Sequence, residues 1–256
     1  MAQLNGKPIG VEQLKALALV PYGHFTSMRV DGAGVRGLSL HLKRLVKDCE
    51  TLFGTTLDPQ RLRDLARMAL PSPSCVLRLT IFDPGIDLGH PATATDPHVL
   101  VTARPAARAT PPPLRVQTRR YVRDLPQVKS VGLFGTLFHR RAAQQNGFDD
   151  ALFLDERSCV SEGGTWNVGF IHDDEVIWPQ AECLAGVTMR LLQDACAHRL
   201  SPIQHSDIRR MSAAFATNAA IGVRPIASID DTAMSPTHPK ITALQRAYVS
   251  VPNEPL

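Results

Sequence analysis

Apolar positions recur along the chain with two periods, and they divide it into strands and helices mixed in both halves. "HFTSMRVDGAGVRGL" (24–38) alternates around an Asp-Gly-Ala-Gly segment, which predicts two short strands joined by a turn whose glycines accept positive φ. Leu38, Leu42, Leu45, Cys49 and Leu52 then share one helical face, with Ser39 as the expected N-cap and Gly54 as the stop. A second helix is predicted over 58–70, opened by Asp-Pro and ended before Pro71. Strands follow at 75–82 and 98–103, both rich in β-branched and apolar residues.

"RPAARATPPP" (104–113) has no periodicity and is stiffened by three consecutive prolines, so a domain junction is expected there. The reading is a smaller domain over 1–106, a linker over 107–112 and a larger domain over 113–256. The second part opens with a strand (114–122), an extended segment around Lys129 and a helix of about 132–146. In that helix Val131, Phe134, Leu137, Phe138 and Ala142 share a face, and Gly147 ends it. Strands are predicted at 149–155, 159–163, 166–173, 175–179 and 213–218, with helices from Gly186 and over 239–251. Many strands are joined by hairpins, so two α+β units fit better than one doubly wound parallel sheet.

Composition narrows the function classes. Hydrophobic content of 44% and charged content of 20% belong to a folded soluble protein. The formal charge of +4 is spread out, and the densest basic stretch, "RVQTRRYVR" (115–123), lacks the interleaved aromatics of a nucleic-acid platform. No apolar run reaches membrane-spanning length, and the first residues lack the regions of a signal peptide. Five well-separated cysteines without a C-x-x-C pair point to reduced thiols in the cytoplasm. No two of the nine histidines stand at ligand spacing, so no metal site is expected.

Five places remain where chemistry is plausible beside an ordinary structural reading. Lys129 is the only charge between Asp124 and His139, and is either a solvated amine or one whose surroundings favour Schiff-base chemistry. Glu162 sits in an apolar strand run, where a carboxylate is costly unless it meets a cation or a protonated ring nitrogen; otherwise it is a strand-end acid in a turn. Gly186 leads into a helix whose Val187 and Thr188 amides, with the threonine hydroxyl, suit a phosphate, though most helix starts bind only water. "FATNAAIGVRP" (215–225) offers small residues at a strand-to-loop turn where backbone can approach a ligand. Arg44 either reaches a phosphate or is solvated. A lysine, an acid for a ring nitrogen and phosphate-binding groups are what pyridoxal phosphate asks of a protein.

The order and spacing of these segments resemble the class IV aminotransferases. These fold-type IV pyridoxal-phosphate enzymes include branched-chain aminotransferase, D-amino acid transaminase and aminodeoxychorismate lyase. The resemblance implies a two-domain α+β fold with pyridoxal 5'-phosphate in the cleft between domains, and a homodimer. "HLKRL" is similar to the family's H-x-x-R-L pattern, implying that Arg44 binds the cofactor phosphate. "KSVGLFGTLFHRRAAQQNGFDDAL" resembles the segment that opens on the Schiff-base lysine, which implies that role for Lys129. "SEGGTWN" implies that Glu162 faces the pyridinium nitrogen, and "LAGVTMR" that Val187 and Thr188 form the phosphate cup. Asn218 and Ala219 stand where branched-chain enzymes have G-T-A-A, and Phe134 stands where they have a tyrosine. Arg78 stands where several relatives place a residue for substrate carboxylate, while Tyr22, His24 and Thr26 are candidate substrate contacts or an ordinary half-buried strand. The implied activity is transfer of an amino group between an amino acid and a 2-oxo acid. The alternative is β-elimination of pyruvate from aminodeoxychorismate, leaving 4-aminobenzoate. A non-catalytic binding module is disfavoured, because it has no reason to keep a costly buried charge pair.

Overall fold

Residues ahead of the first predicted strand fold as a small hairpin, β1 (Ala2–Leu4) and β2 (Lys7–Pro8), and a helix, α1 (Val11–Leu19). The computed structural model describes residues 2–32, 34–71, 74–107 and 111–256, so Ala33 of the predicted turn and 108–110 of the predicted linker lie outside the described residues. The chain divides into two compact units. The first holds residues up to Ala106 and takes back two later pieces, Val128–Gly132 and Pro252–Leu256. The second holds Ala107–Gln127 and Leu133–Val251.

In the first unit follow β3 (His24–Asp31), β4 (Gly34–Arg36), α2 (Leu38–Phe53), α3 (Pro59–Met68), β5 (Ser74–Phe82), β6 (His98–Pro105) and, from the chain's end, β16 (Asn253–Pro255). They build an antiparallel sheet in the order β16-β4-β3-β5-β6-β1-β2. Leu38, Leu42, Leu45, Cys49 and Phe53 of α2 are buried in one cluster with Met28, Val30, Leu77, Leu79 and Ile81 of the sheet. Each such aliphatic burial contributes roughly 1.5–3 kcal/mol. Gly54 ends α2 in the left-handed region, as its sequence position predicts, and Asp58 caps α3 through the Gln60 N–H. Ser39, however, does not cap α2. The N-cap is Gly37, and the Ser39 amide and hydroxyl instead donate to the Glu254 carboxylate, which ties β16 to the helix start.

The second unit contains β7 (Leu114–Arg120), α4 (Phe134–Gln145), β8 (Asp150–Leu154), β9 (Val160–Gly163), β10 (Asn167–His172), β11 (Glu175–Pro179), α5 (Val187–Ala195), β12 (Arg199–Ser201), β13 (Ala213–Asn218), β14 (Gly222–Ile229), β15 (Thr232–Ala233) and α6 (Pro239–Ser250). Its mixed sheet runs β12-β11-β10-β13-β14-β7-β8-β9, with β15 beside β14. One face buries Val116, Leu152, Val168, Phe170 and Ile226; the other packs Ile171, Phe215 and Val223 against Leu192 of α5 and Leu244 of α6.

The apolar face read along α4 is not a buried one. Phe134 is 84% exposed, and Leu137 and Phe138 are also more than half exposed. The buried residues are Thr136 and Ala143, and Ala143 meets Ala151 and Phe153 with Tyr121 beside them. A Cβ on Gly135 would lie 2.4 Å from the Tyr121 hydroxyl, so the helix approaches closely on its small-residue side and turns its phenylalanines outward. No described helix is long and apolar enough to cross a membrane.

Candidate active site

Lys129, expected within the C-terminal domain, is grouped with the first unit instead. The segment it occupies runs beside the start of β3: the Phe25 N–H donates to the Lys129 carbonyl at 2.9 Å, and the Val131 N–H to the Gly23 carbonyl at 2.9 Å. His24 pairs with Ser130, so Lys129 leaves the backbone on the same side as Phe25. Its Nζ stands 4.9 Å from the centre of the Phe25 ring, and the Arg78 guanidinium stands 3.6 Å from the same centre. Arg78 also donates from Nε to Thr80 Oγ1 at 3.1 Å. Lys129 and Arg78 thus share one aromatic platform on one face of the sheet.

On the other face, Thr26 is fully buried under α2. Arg44 Nη2 donates to its hydroxyl at 2.6 Å, and His41 Nδ1 lies 2.7 Å from the same oxygen. Thr26 therefore fixes Arg44, and its burial gives it a positioning role in place of a substrate contact. Tyr22 donates its hydroxyl to the Leu52 carbonyl at 2.9 Å and sets its ring edge-on to Phe53. His41, one helical turn before Arg44, was missed by the sequence reading; its place in H-x-x-R was the available signal. Burial, then the charges of Arg44 and Lys129, hold its ring well below its ordinary pKa. Asp48, one turn after Arg44, is pushed up from its usual value by burial, against the pull of the Lys129 N–H and of the Arg44, Lys47 and Lys129 charges.

His24 is fully buried, and neither ring nitrogen has a hydrogen-bond partner among the described residues. Burial, and next the Arg44 charge, lower its pKa from 6.5 to about 3. In the unfolded chain this ring protonates near pH 6.5 while in the fold it stays neutral, so its contribution is complete above that pH and is lost as pH falls toward about 3. Asp48, with a raised pKa, works in the opposite sense above its unfolded value. From pH 6.5 to 5 the histidine effect is about 2 kcal/mol. Urea unfolding at the two pH values should show a loss in the wild type to which His24 and the buried His41 both contribute, and His24→Phe should remove the His24 share and leave that of His41.

The second unit carries the remaining predicted residues. Glu162 on β9 is 7% exposed and its Oε1 accepts from Arg123 Nε at 2.8 Å. Arg123 is the cation that a buried carboxylate at this position requires, and it also donates to the Pro126 carbonyl. Sequence reading passed over it as part of a basic strand. Glu162 Oε2 takes the Leu184 N–H at 3.3 Å, while Asn167 Nδ2 donates to the Leu184 carbonyl at 2.7 Å. Leu184 is thus held by both of its backbone polar groups, two residues before the N-cap of α5.

That helix start has no side-chain cap. Val187 and Thr188 are buried there, and the Thr188 hydroxyl has no hydrogen-bond partner among the described residues. A Cβ at Gly186 would lie 2.0 Å from Asn167 Oδ1, so the approach of the loop to β10 demands glycine. Uncapped helix amides beside an orphaned hydroxyl form an anion cradle. Asn218 ends β13 and turns its Oδ1 onto the Ala220 and Ile221 N–H groups at 3.1 and 3.0 Å. Its side chain shapes the turn and leaves Ala219 to offer backbone.

Residues 23–229 match the sequence profile of the class IV aminotransferases, and the chain belongs to that family. A sequence comparison with curated proteins finds no significant match. Among solved structures it is similar to a Legionella pneumophila protein provisionally described as 4-amino-4-deoxychorismate lyase (20% identity, TM-score 0.84, covering 93% of this chain and 92% of that one). It is also similar to the branched-chain aminotransferase of Thermoproteus uzoniensis with norvaline (17%, 0.84, 97% and 93%). A third is the T.th. branched-chain amino acid aminotransferase with pyridoxamine 5'-phosphate (21%, 0.81, 97% and 92%). These likenesses show the two-domain α+β fold of the fold-type IV enzymes.

Proposed function

We propose that the chain is a pyridoxal-phosphate-dependent aminotransferase acting on an amino acid and a 2-oxo acid. The observation that carries this reading is the α5 cradle: an uncapped helix start and an unpartnered, buried Thr188 hydroxyl, joined through Leu184 to a buried carboxylate. Such a cradle fits a phosphate at one end and a protonated ring nitrogen at the other. The Val187 and Thr188 amides and the Ala219 backbone would hold the phosphate; for Arg44, kept in place by Thr26, the phosphate role is proposed from its likeness to the family's H-x-x-R-L pattern. When bound, pyridoxal phosphate supplies an electron sink for the charge that develops at the substrate α-carbon. Glu162, buried and ion-paired with Arg123, is the carboxylate that would face the protonated ring nitrogen of the bound cofactor. Lys129 would hold the cofactor covalently until the substrate amine displaces it, and its freed amine would then move the proton at the substrate α-carbon. Arg78, on the Lys129 side of the sheet, takes the substrate carboxylate.

Purified protein mixed with pyridoxal phosphate should absorb visible light, and borohydride should fix the cofactor to Lys129 in a peptide map. With an amino acid panel and 2-oxo acid acceptors, a new amino acid should form. Release of pyruvate and 4-aminobenzoate from aminodeoxychorismate without an acceptor would replace this reading with the lyase.

The outward face of α4 belongs to the same proposal. Phe134 and Phe138 stack at 6.4 Å between ring centres, next to exposed Leu137. A contiguous apolar patch of this kind marks an interface, and the occupant proposed is a second copy of the chain. Sedimentation should show a dimer for the wild type, and F138R should weaken it by about two orders of magnitude. A wild-type monomer at micromolar concentration sinks this part of the reading.

A further inference from the structure

Helix α2 carries a polar stripe at helical spacing: His41, Arg44 and Asp48, beside its apolar face. His41 and Arg44 act on Thr26 of β3. Asp48 does something else. Its carboxylate, 2% exposed, accepts the backbone N–H of Lys129 with Oδ2 at 3.1 Å. The Lys129 carbonyl is already taken by the Phe25 N–H at 2.9 Å. Both backbone polar groups of the lysine are therefore held, one by the sheet and one by the helix.

A buried carboxylate is an expensive way to satisfy one amide, since a neutral oxygen would serve. What the charge adds is a stronger grip near the cations Arg44 and Lys129. We propose that Asp48 is a positioning residue for Lys129: it fixes the point from which the lysine side chain starts and ties that point to the helix that holds Arg44. The two groups that would meet opposite ends of one ligand are then set by a single rigid element, through side chains one helical turn apart. The inference rests on the reactive role proposed for Lys129.

The test compares wild type, Asp48→Ala and Asp48→Asn by two readouts. The first is backbone amide hydrogen exchange at Lys129, with amides of β5 and β6 as internal controls. The second is the rate at which added pyridoxal phosphate becomes attached to Lys129, trapped with borohydride and counted by mass spectrometry. Asp48→Ala should speed exchange at Lys129 by about tenfold or more, leave the control amides unchanged and slow attachment by about tenfold. Asp48→Asn keeps an acceptor oxygen, and should restore most of the protection and part of the rate. Unchanged exchange in Asp48→Ala overturns the proposal, as does faster exchange with an unaltered attachment rate, which is a merely structural role. Faster exchange at every control amide overturns it too, because Asp48 then supports the whole unit. Wild-type protein that attaches no cofactor at Lys129 overturns the functional reading and this inference with it. The exchange and the wild-type arms thus separate the two failures.

Discussion

Lys129→Ala should leave the fold intact and reduce amino-group transfer by about four orders of magnitude, the upper end of what one positioned proton-transfer group contributes. The fold should survive because what holds the 128–132 segment is backbone. The Lys129 carbonyl and amide are bonded to Phe25 and Asp48, and Val131 to Gly23. The side chain gives up its place above the Phe25 ring, a contact worth about 0.5–1 kcal/mol at a partly exposed site. Thermal unfolding within a few degrees of wild type, with no borohydride-fixed cofactor, is the expected pair of results. Exogenous small amines should restore part of the rate, since the missing group is an amine base and the cradle remains. A variant that keeps a tenth or more of the wild-type rate would remove Lys129 from the chemistry and leave the bland reading of a solvated lysine.

The elements that were legible in the sequence are those where local pattern and tertiary demand agree. The apolar stripe of α2 is buried as its spacing predicts, and Asp58 and Gly54 act as the cap and stop that their side chains favour. Strands β5 and β6 follow runs rich in β-branched and apolar residues. Legibility fails where a residue's partner is distant in sequence. Ser39 looked like a cap, but an acid 215 positions away claimed both of its donors. The α4 phenylalanines share an apolar face, yet it is the opposite side that packs, because Gly135 and Ala143 permit the close approach to Tyr121 and Ala151. Periodicity reports a face and cannot say which of two faces the sheet will take.

The site shows the same split. Candidates that form a local motif, such as Gly186 with Val187 and Thr188, are visible in the sequence, and a close contact with Asn167 explains why the glycine is needed. Residues that act by gripping another were not. His41, Asp48, Arg123 and Asn167 carry no reactive signature; each is defined by what it touches across the fold. Lys129 was assigned by sequence order to the second domain, and the chain returns it to the first because antiparallel pairing with β3 outweighs its neighbours in sequence. Which distant segments pair is the information that a one-dimensional pattern lacks.

Glu162 and Arg123 give the second large effect, and their variants separate structure from chemistry. The side chains are 9% and 13% exposed, so removing either leaves the other charged and largely desolvated. Glu162→Ala and Arg123→Ala should each cost about 3–5 kcal/mol in urea unfolding. The double variant should cost less than their sum, because the second truncation removes a charge already stranded. Additive losses would mean that the pair is not a functional unit of the fold. Glu162→Gln is the chemical probe: it keeps the side-chain volume and an oxygen for Arg123 while abolishing the negative charge. Its expected stability loss is smaller than that of Glu162→Ala. Its rate of amino-group transfer should nevertheless fall by about two to three orders of magnitude, the usual consequence of losing one fixed electrostatic partner in a dry site. A Glu162→Gln enzyme with an unimpaired rate would confine Glu162 to holding Arg123 and Leu184. In that case the ring-nitrogen role falls, while the roles proposed for the α5 cradle, for Arg44 and for Lys129 each stand on their own observations.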